Sequence, residues 1–199
     1  MLRIGLTGGI AAGKSTASAR FAELGAVVVD HDVLARRAVE PGSAALVEIA
    51  RAFGDRAVPD GTLDRAALAS IVFHDPLARA QLDGIVHPYV FAMARAADRQ
   101  ARADGARVVL HDIPLLVEAG ADHDYDLVVA VAAAAELRLE RMMASRGMSR
   151  DDAQARIDAQ ASDEERAAIA DVVLDGSGPA EALRAQVDDF WALHVPASA

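Results

Sequence analysis

"LTGGIAAGKST" occupies residues 6–16, and within it Gly8, Gly13, Lys14 and Ser15 satisfy the spacing G-x-x-x-x-G-K-[ST]. The spacing also arises by chance, so its flanks decide. An apolar run at residues 2–6 precedes it and reads as a buried strand. "STASARFAELG" follows it and reads as a helix ended by Gly25. In a strand–loop–helix unit, small residues let the backbone wrap around phosphate oxygens. Inward amides and the positive end of the helix then meet the negative charge. Lys14 is the chain's only lysine; the other nineteen of 20 Lys+Arg residues are arginine. A compact ammonium on a flexible stem fits a tight phosphate cradle, whereas a planar guanidinium is larger and demands a fork geometry.

Working outward, four more apolar runs at residues 26–29, 107–111, 126–131 and 171–174 read as strands. They lack clean alternation, the pattern of strands covered on both faces. Ala-, Arg- and Leu-rich stretches between them read as helices, and the alternation predicts an α/β fold on a parallel sheet. Too many residues separate the second and third strands for one crossover. "EPG", "PDG", "HDP" and "HP" punctuate this stretch. The expectation is a single domain with a core at about 1–35, 106–133 and 167–199. A helical lobe fills about 36–105 and a helical lid about 134–166. Arg138, Arg141, Arg146, Arg150 and Arg156 make the lid charge-dense, which mostly reads as a solvated face. The tail "HVPASA" reads as frayed.

Composition narrows the function. The chain has 199 residues, is 53% hydrophobic and has a formal charge of −10. That charge disfavours binding to nucleic acid or anionic membranes, so an anionic ligand needs local cations. Absence of cysteine excludes disulfides, thiolate metal sites and a Cys nucleophile. No apolar run reaches the roughly 20 residues of a membrane span, and no signal peptide is visible, so a cytoplasmic protein is expected. A GTPase would carry N-K-x-D, which a single, already used lysine forbids. A motor ATPase would carry an Asp-Glu pair ending a strand, and here Ile113 follows Asp112. Helical lobes on a short phosphate-loop core point to a small-molecule kinase, which must close over both substrates to exclude water.

Six further stretches make the likeness specific. They are "VVVDHDVLARRAVEPG" (27–42), "DGTLDRAALASIVFHDP" (60–76), "LDGIVHPYV" (82–90), "HDIPLLVEAG" (111–120), "RMMASRGMSRDDAQARIDAQAS" (141–162) and "ADVVLDGSG" (170–178). In order and over nearly the whole chain, they resemble the dephospho-coenzyme A kinases. The resemblance implies a nucleoside-monophosphate-kinase-like fold, a three-layer phosphate-loop kinase with a parallel five-stranded sheet. It implies ATP-dependent phosphorylation of the ribose 3′-hydroxyl of dephospho-coenzyme A, with Mg²⁺; a monomer or small homo-oligomer is expected. The family loop reads G-G-I-G-S-G-K-S; here Ala11 and Ala12 depart from it. If position 11 requires a positive φ, alanine is strained there by about 1 kcal/mol.

The resemblance also assigns residues. Gly9, Ile10, Ala11, Ala12, Gly13, Lys14, Ser15 and Thr16 would hold ATP, with Asp175 and Gly176 near the adenine. Ser15 would hold Mg²⁺, with Asp30 or Asp112 as carboxylates acting through water. Asp32 would orient the acceptor hydroxyl and take its proton; as a helix N-cap it would do neither. Thr7 is either near the reacting groups or a strand-end hydroxyl bonded to backbone. Asp112 is a metal or substrate ligand, or a turn residue before Pro114. Leu115, Leu116 and Glu118 would shape the acceptor pocket, with the leucines as core in the plainer reading. His87 would contact the acceptor or serve structure. Arg141 or Arg146 would stabilise the transferred phosphoryl group. Two other readings remain: a nucleotide or shikimate-type kinase, and a binding module switched by ATP without catalysis.

Overall fold

Strands form at all five apolar runs: β1 (Leu2–Gly8), β2 (Val27–Asp30), β3 (Val108–Asp112), β4 (Leu127–Ala132) and β5 (Val172–Asp175). This computed structural model describes residues 1–73, 75–118, 120 and 124–196. The strands make one parallel sheet in the order β2-β3-β1-β4-β5. Every residue of β3 is buried, as are the middle four of β4, which is why those runs read as apolar without alternation. The chain leaves β1 towards one edge and leaves β3 towards the other. The sheet's direction therefore switches between these two neighbours, and ligands of open α/β sheets sit at the carboxyl end of such a switch.

Contacts divide the chain into two compact units, Met1–Asp30 with Gln100–Ala199, and His31–Arg99. In the first, α1 (Lys14–Glu23) and the last helix, α9 (Ala180–His194), cover the sheet. Phe21 meets Phe190 edge-on at 5.5 Å between ring centres and lies tilted against Trp191 at 6.4 Å. Between β4 and β5 run α6 (Ala135–Arg146), α7 (Arg150–Asp158) and α8 (Asp163–Ile169). Ser149 caps α7, and Ser162 with Glu165 forms a capping box on α8. Leu139, Met142, Ala153 and Ile157 give α6 and α7 a small apolar core, against which Ile10 and Ala11 pack.

The second unit holds α2 (His31–Ala38), α3 (Ala44–Phe53), α4 (Arg65–Val72) and most of α5 (Pro76–Ala103). "EPG" and "PDG" break the chain between helices as expected. "HP" does not: Pro88 lies inside the 28-residue α5. A proline ring crowds the carbonyl four residues back, and here that residue is Gly84, whose backbone has latitude to give way. His74 of "HDP" and the tail residues 197–199 lie outside the described residues. Among the described residues no helix is long and apolar enough to cross a membrane.

Candidate active site

The loop after β1 bends through two left-handed residues, Ala11 (φ 60°) and Gly13 (φ 110°). Position 11 does take the conformation that penalises alanine. Its methyl packs against the apolar core of α6 and α7, which offsets part of that cost. Gly13 opens α1 with no side-chain cap. Within the loop, the Ala12 amide donates to Gly9 O (3.1 Å) and the Ile10 amide to Gln160 Oε1 (2.8 Å). The amides of Ala11, Gly13, Lys14 and Ser15 meet no acceptor among the described residues, leaving a row of donors at a helix start for an anion.

Lys14 donates from Nζ to the Asp112 carboxylate, and both side chains are largely buried. Asp112 ends β3, in register with Leu6 of β1 on one side and Asp30 of β2 on the other. The lone lysine and two strand-end carboxylates thus gather at the switch point. Thr7 is fully buried, and its hydroxyl donates to Pro114 O (3.3 Å), while the Ile113 amide donates to Leu6 O (2.8 Å). These bonds fasten the base of the loop to the turn after β3.

Arg141 clasps the loop to the turn after β5: it donates to Ala11 O (3.1 Å) and Gly176 O (2.8 Å). Beside it opens a cavity of about 490 Å³, lined by Ser15, Thr16, Arg141, Arg146, Gly176 and Gly178 among others. Gly176 is required by close approach, since a Cβ there would collide with Ala12 O. The Ser177 amide donates to the Asp175 carboxylate (2.8 Å) and holds its pKa below the ordinary value.

Other expected residues have different surroundings. Leu116 is 1% exposed and packs with Ile113 and Val128, so in this conformation it is core, whereas Leu115 is half exposed. Glu118 accepts from the Ala161 amide (2.7 Å) and from Arg166 (3.3 Å), tying the turn after β3 to the start of α8. Arg138 departs from the solvated-face reading: it is 4% exposed, and Arg166 is 1% exposed. A Cβ on Gly9 would collide with Arg138 Nη1, so the guanidinium lies directly on the loop. Sequence reasoning missed Arg138, Arg166 and Gln160, because local spacing does not reveal which polar side chain turns inward.

In the helical unit, Asp32 sits in the first turn of α2 and lines a cavity of about 400 Å³. Arg36 and Arg65 also line it, with Ile49, Leu68 and Leu82 among its apolar walls. His87 is not among the lining residues; it lies 4.0 Å from Asp83 and against the Phe91 ring.

Known proteins resemble this chain over most of its length. The dephospho-CoA kinase family model matches residues 2–181. A dephospho-CoA kinase of Streptomyces avermitilis is 51% identical over 96% of this chain and 93% of its own length. The crystal structure of TT1252 from Thermus thermophilus superimposes with a TM-score of 0.81 at 39% identity, covering 96% of this chain and 97% of that one. A dephospho-CoA kinase from Campylobacter jejuni shares the fold, with a TM-score of 0.61 at 23% identity over 96% and 95% of the two chains.

Proposed function

The chain belongs to the dephospho-CoA kinase family, and we propose how its own residues carry the reaction that name describes. ATP is the co-substrate and the ribose 3′-hydroxyl of dephospho-coenzyme A the acceptor; the product is coenzyme A, the last step of its synthesis. The observation that carries the reading is the free row of loop amides beside Lys14 at the switch point. The amides bind the phosphate chain and Lys14 moves from Asp112 to its outer phosphates. The base and ribose take the cavity beside Arg141 and Gly176.

Phosphoryl transfer is loose, so the protein's work is positioning and charge stabilisation. Asp32 accepts a hydrogen bond from the acceptor hydroxyl, aims its oxygen and receives its proton. Arg36 and Arg65, in the same cavity as Asp32, offer the positive charge that the acceptor's diphosphate requires in a chain of net charge −10. The helices between β4 and β5 act as the lid and the unit His31–Arg99 as the acceptor lobe.

The donor set suits Mg²⁺: hard oxygens only, from the Ser15 hydroxyl at the start of α1 and the carboxylates of Asp30 and Asp112. No cluster of three His, Cys, Asp or Glu forms a cage among the described residues, and Mg²⁺ on nucleotide phosphates needs none. When bound, Mg²⁺ neutralises charge that builds on the phosphate oxygens. We place the reaction in the cytoplasm, with small-molecule substrates and no nucleic-acid or membrane partner, in line with the acidic charge.

The test is incubation with ATP, Mg²⁺ and dephospho-coenzyme A, following ADP and the 3′-phosphorylated product. Asp32→Asn should lower kcat on the order of 10²-fold or more with nucleotide binding intact. No ADP above the acceptor-free blank from folded protein would refute the activity, and an unchanged kcat in the variant would refute the role of Asp32.

A further inference from the structure

Arg138 and Arg141 stand three residues apart on α6 but serve opposite ends of the phosphate loop. Arg141 reaches Ala11 O and Gly176 O beside the cavity that Ser15 and Thr16 line. Arg138 lies at the far end, against Gly9. A triphosphate whose base and ribose fill that cavity sends its last phosphate towards the other end, because the Lys14 ammonium serves the outer phosphates.

The surroundings of Arg138 are unusual for a buried cation. Its Nε has no hydrogen-bond partner, and its ion-pair partner, Asp163 Oδ2, stands off at 3.4 Å. Asp163 Oδ1 and Arg166 Nε are likewise buried without hydrogen bonds. Arg166 faces Asp163 at 3.5 Å and Glu118 at 3.3 Å. Arg166 also donates to Ala161 O, so of the two guanidinium groups under the loop it is Arg138 whose contacts are too long or misaligned to repay its desolvation. A phosphate oxygen at Gly9 would meet Arg138 Nη1, the guanidinium atom that lies on the loop.

We propose that Arg138 binds the terminal phosphate of ATP, and that Asp163 occupies its guanidinium until that phosphate arrives. Arg166, anchored by Glu118 and by the Ala161 carbonyl, holds Asp163 in place and returns it when the phosphate leaves. Arg138 thereby distinguishes ATP from ADP, and α6 and α8 sense which nucleotide is bound. The proposal rests on the nucleotide site described above.

Calorimetric titration of the whole chain with ATP and with ADP tests it, in the wild type, Arg138→Gln and Asp163→Asn. Arg138→Gln should weaken ATP about tenfold or more and leave ADP within about twofold, the loss of one charge-assisted hydrogen bond. Asp163→Asn, which removes the competitor, should shift the preference further towards ATP. A purely structural ion pair would destabilise both variants in melting experiments yet leave the ATP-to-ADP ratio at the wild-type value, and that result overturns the proposal. If Arg138→Gln does not fold, the ratio in Asp163→Asn decides alone: unchanged or shifted towards ADP, it overturns the assignment. Wild-type protein that binds neither nucleotide overturns the phosphate-loop reading, and this inference with it. ATP and ADP binding that both survive with an unaltered ratio in Arg138→Gln overturn this inference only.

Discussion

At the residue scale, the lone lysine is the sharpest statement in the chain. Lys14 lies where amides converge and pairs with Asp112, a partner that arginine could also satisfy, and in a forked geometry. Pairing alone therefore does not explain why this one cation is lysine; a tight phosphate cradle, as proposed above, does. Lys14→Arg should keep the Asp112 pair and the fold but lose turnover on the order of 10²-fold, because the guanidinium cannot enter among the phosphates. Steady-state kinetics with a thermal melt checks this, and wild-type kinetics would refute it. Ala11 makes the complementary point. Its left-handed φ was conditional in the sequence, since alanine at a variable loop position states no backbone angle; the structure supplies both the angle and the apolar contact that tolerates it. Arg138 and Arg166 were not legible at all, because burial of an arginine is decided by the helix packed over it and not by its neighbours in sequence.

At the scale of elements, the turn after β5 and the loop after β1 are one device. Gly176 presses on Ala12, which is fully buried, and a Cβ at Gly176 would also come within 3.1 Å of Ala12 C and Val131 Cγ1. Neither backbone nor strand can yield, unlike the end of a long side chain. Gly176→Ala should therefore cost about 1–3 kcal/mol of stability and weaken ATP binding by displacing Ala12. Urea unfolding and an ATP titration read the two effects, and a loss of stability without a loss of affinity would separate the turn from the loop. Elements were the most legible level of the sequence. All five strands stand at apolar runs: β1, β3 and β4 because strands covered on both faces must be apolar along most of their length, β2 and β5 at the sheet edges although Val27 and Val173 stay exposed. Pro88 is the exception that shows the limit. A proline announces a missing hydrogen bond, but whether a helix ends there depends on the contacts that hold both halves, which no local pattern contains.

At the scale of the whole molecule, the chain's first and last helices close the phosphate-loop unit from the same side. α1 and α9 share the Phe21–Phe190 contact and a charged strip at the surface. In that strip Glu23 receives Arg184 at 3.0 Å and Arg20 at 2.7 Å, and Arg20 Nε also donates to Asp188 at 2.6 Å. This closure is not legible in the sequence, since Glu23 and Arg184 stand 161 positions apart. The strip makes stability depend on pH. Arg184, and then Arg20, hold the Glu23 carboxyl at about 2, below its ordinary 4.5. A depressed folded-state pKa means that the unfolded chain binds the proton first. The contribution is thus complete above pH 4.5 and is lost as pH falls towards 2. The group is exposed, so salt screens the effect. Glu23→Gln should leave the protein less stable than wild type at pH 7, with the gap narrowing below pH 4.5 and nearly gone at pH 2, and shrinking in high salt. Urea midpoints across that range measure it. A gap that stays constant with pH would mean that Glu23 acts through its packing on α1 and α9 and that its charge contributes nothing to holding the chain's two ends together.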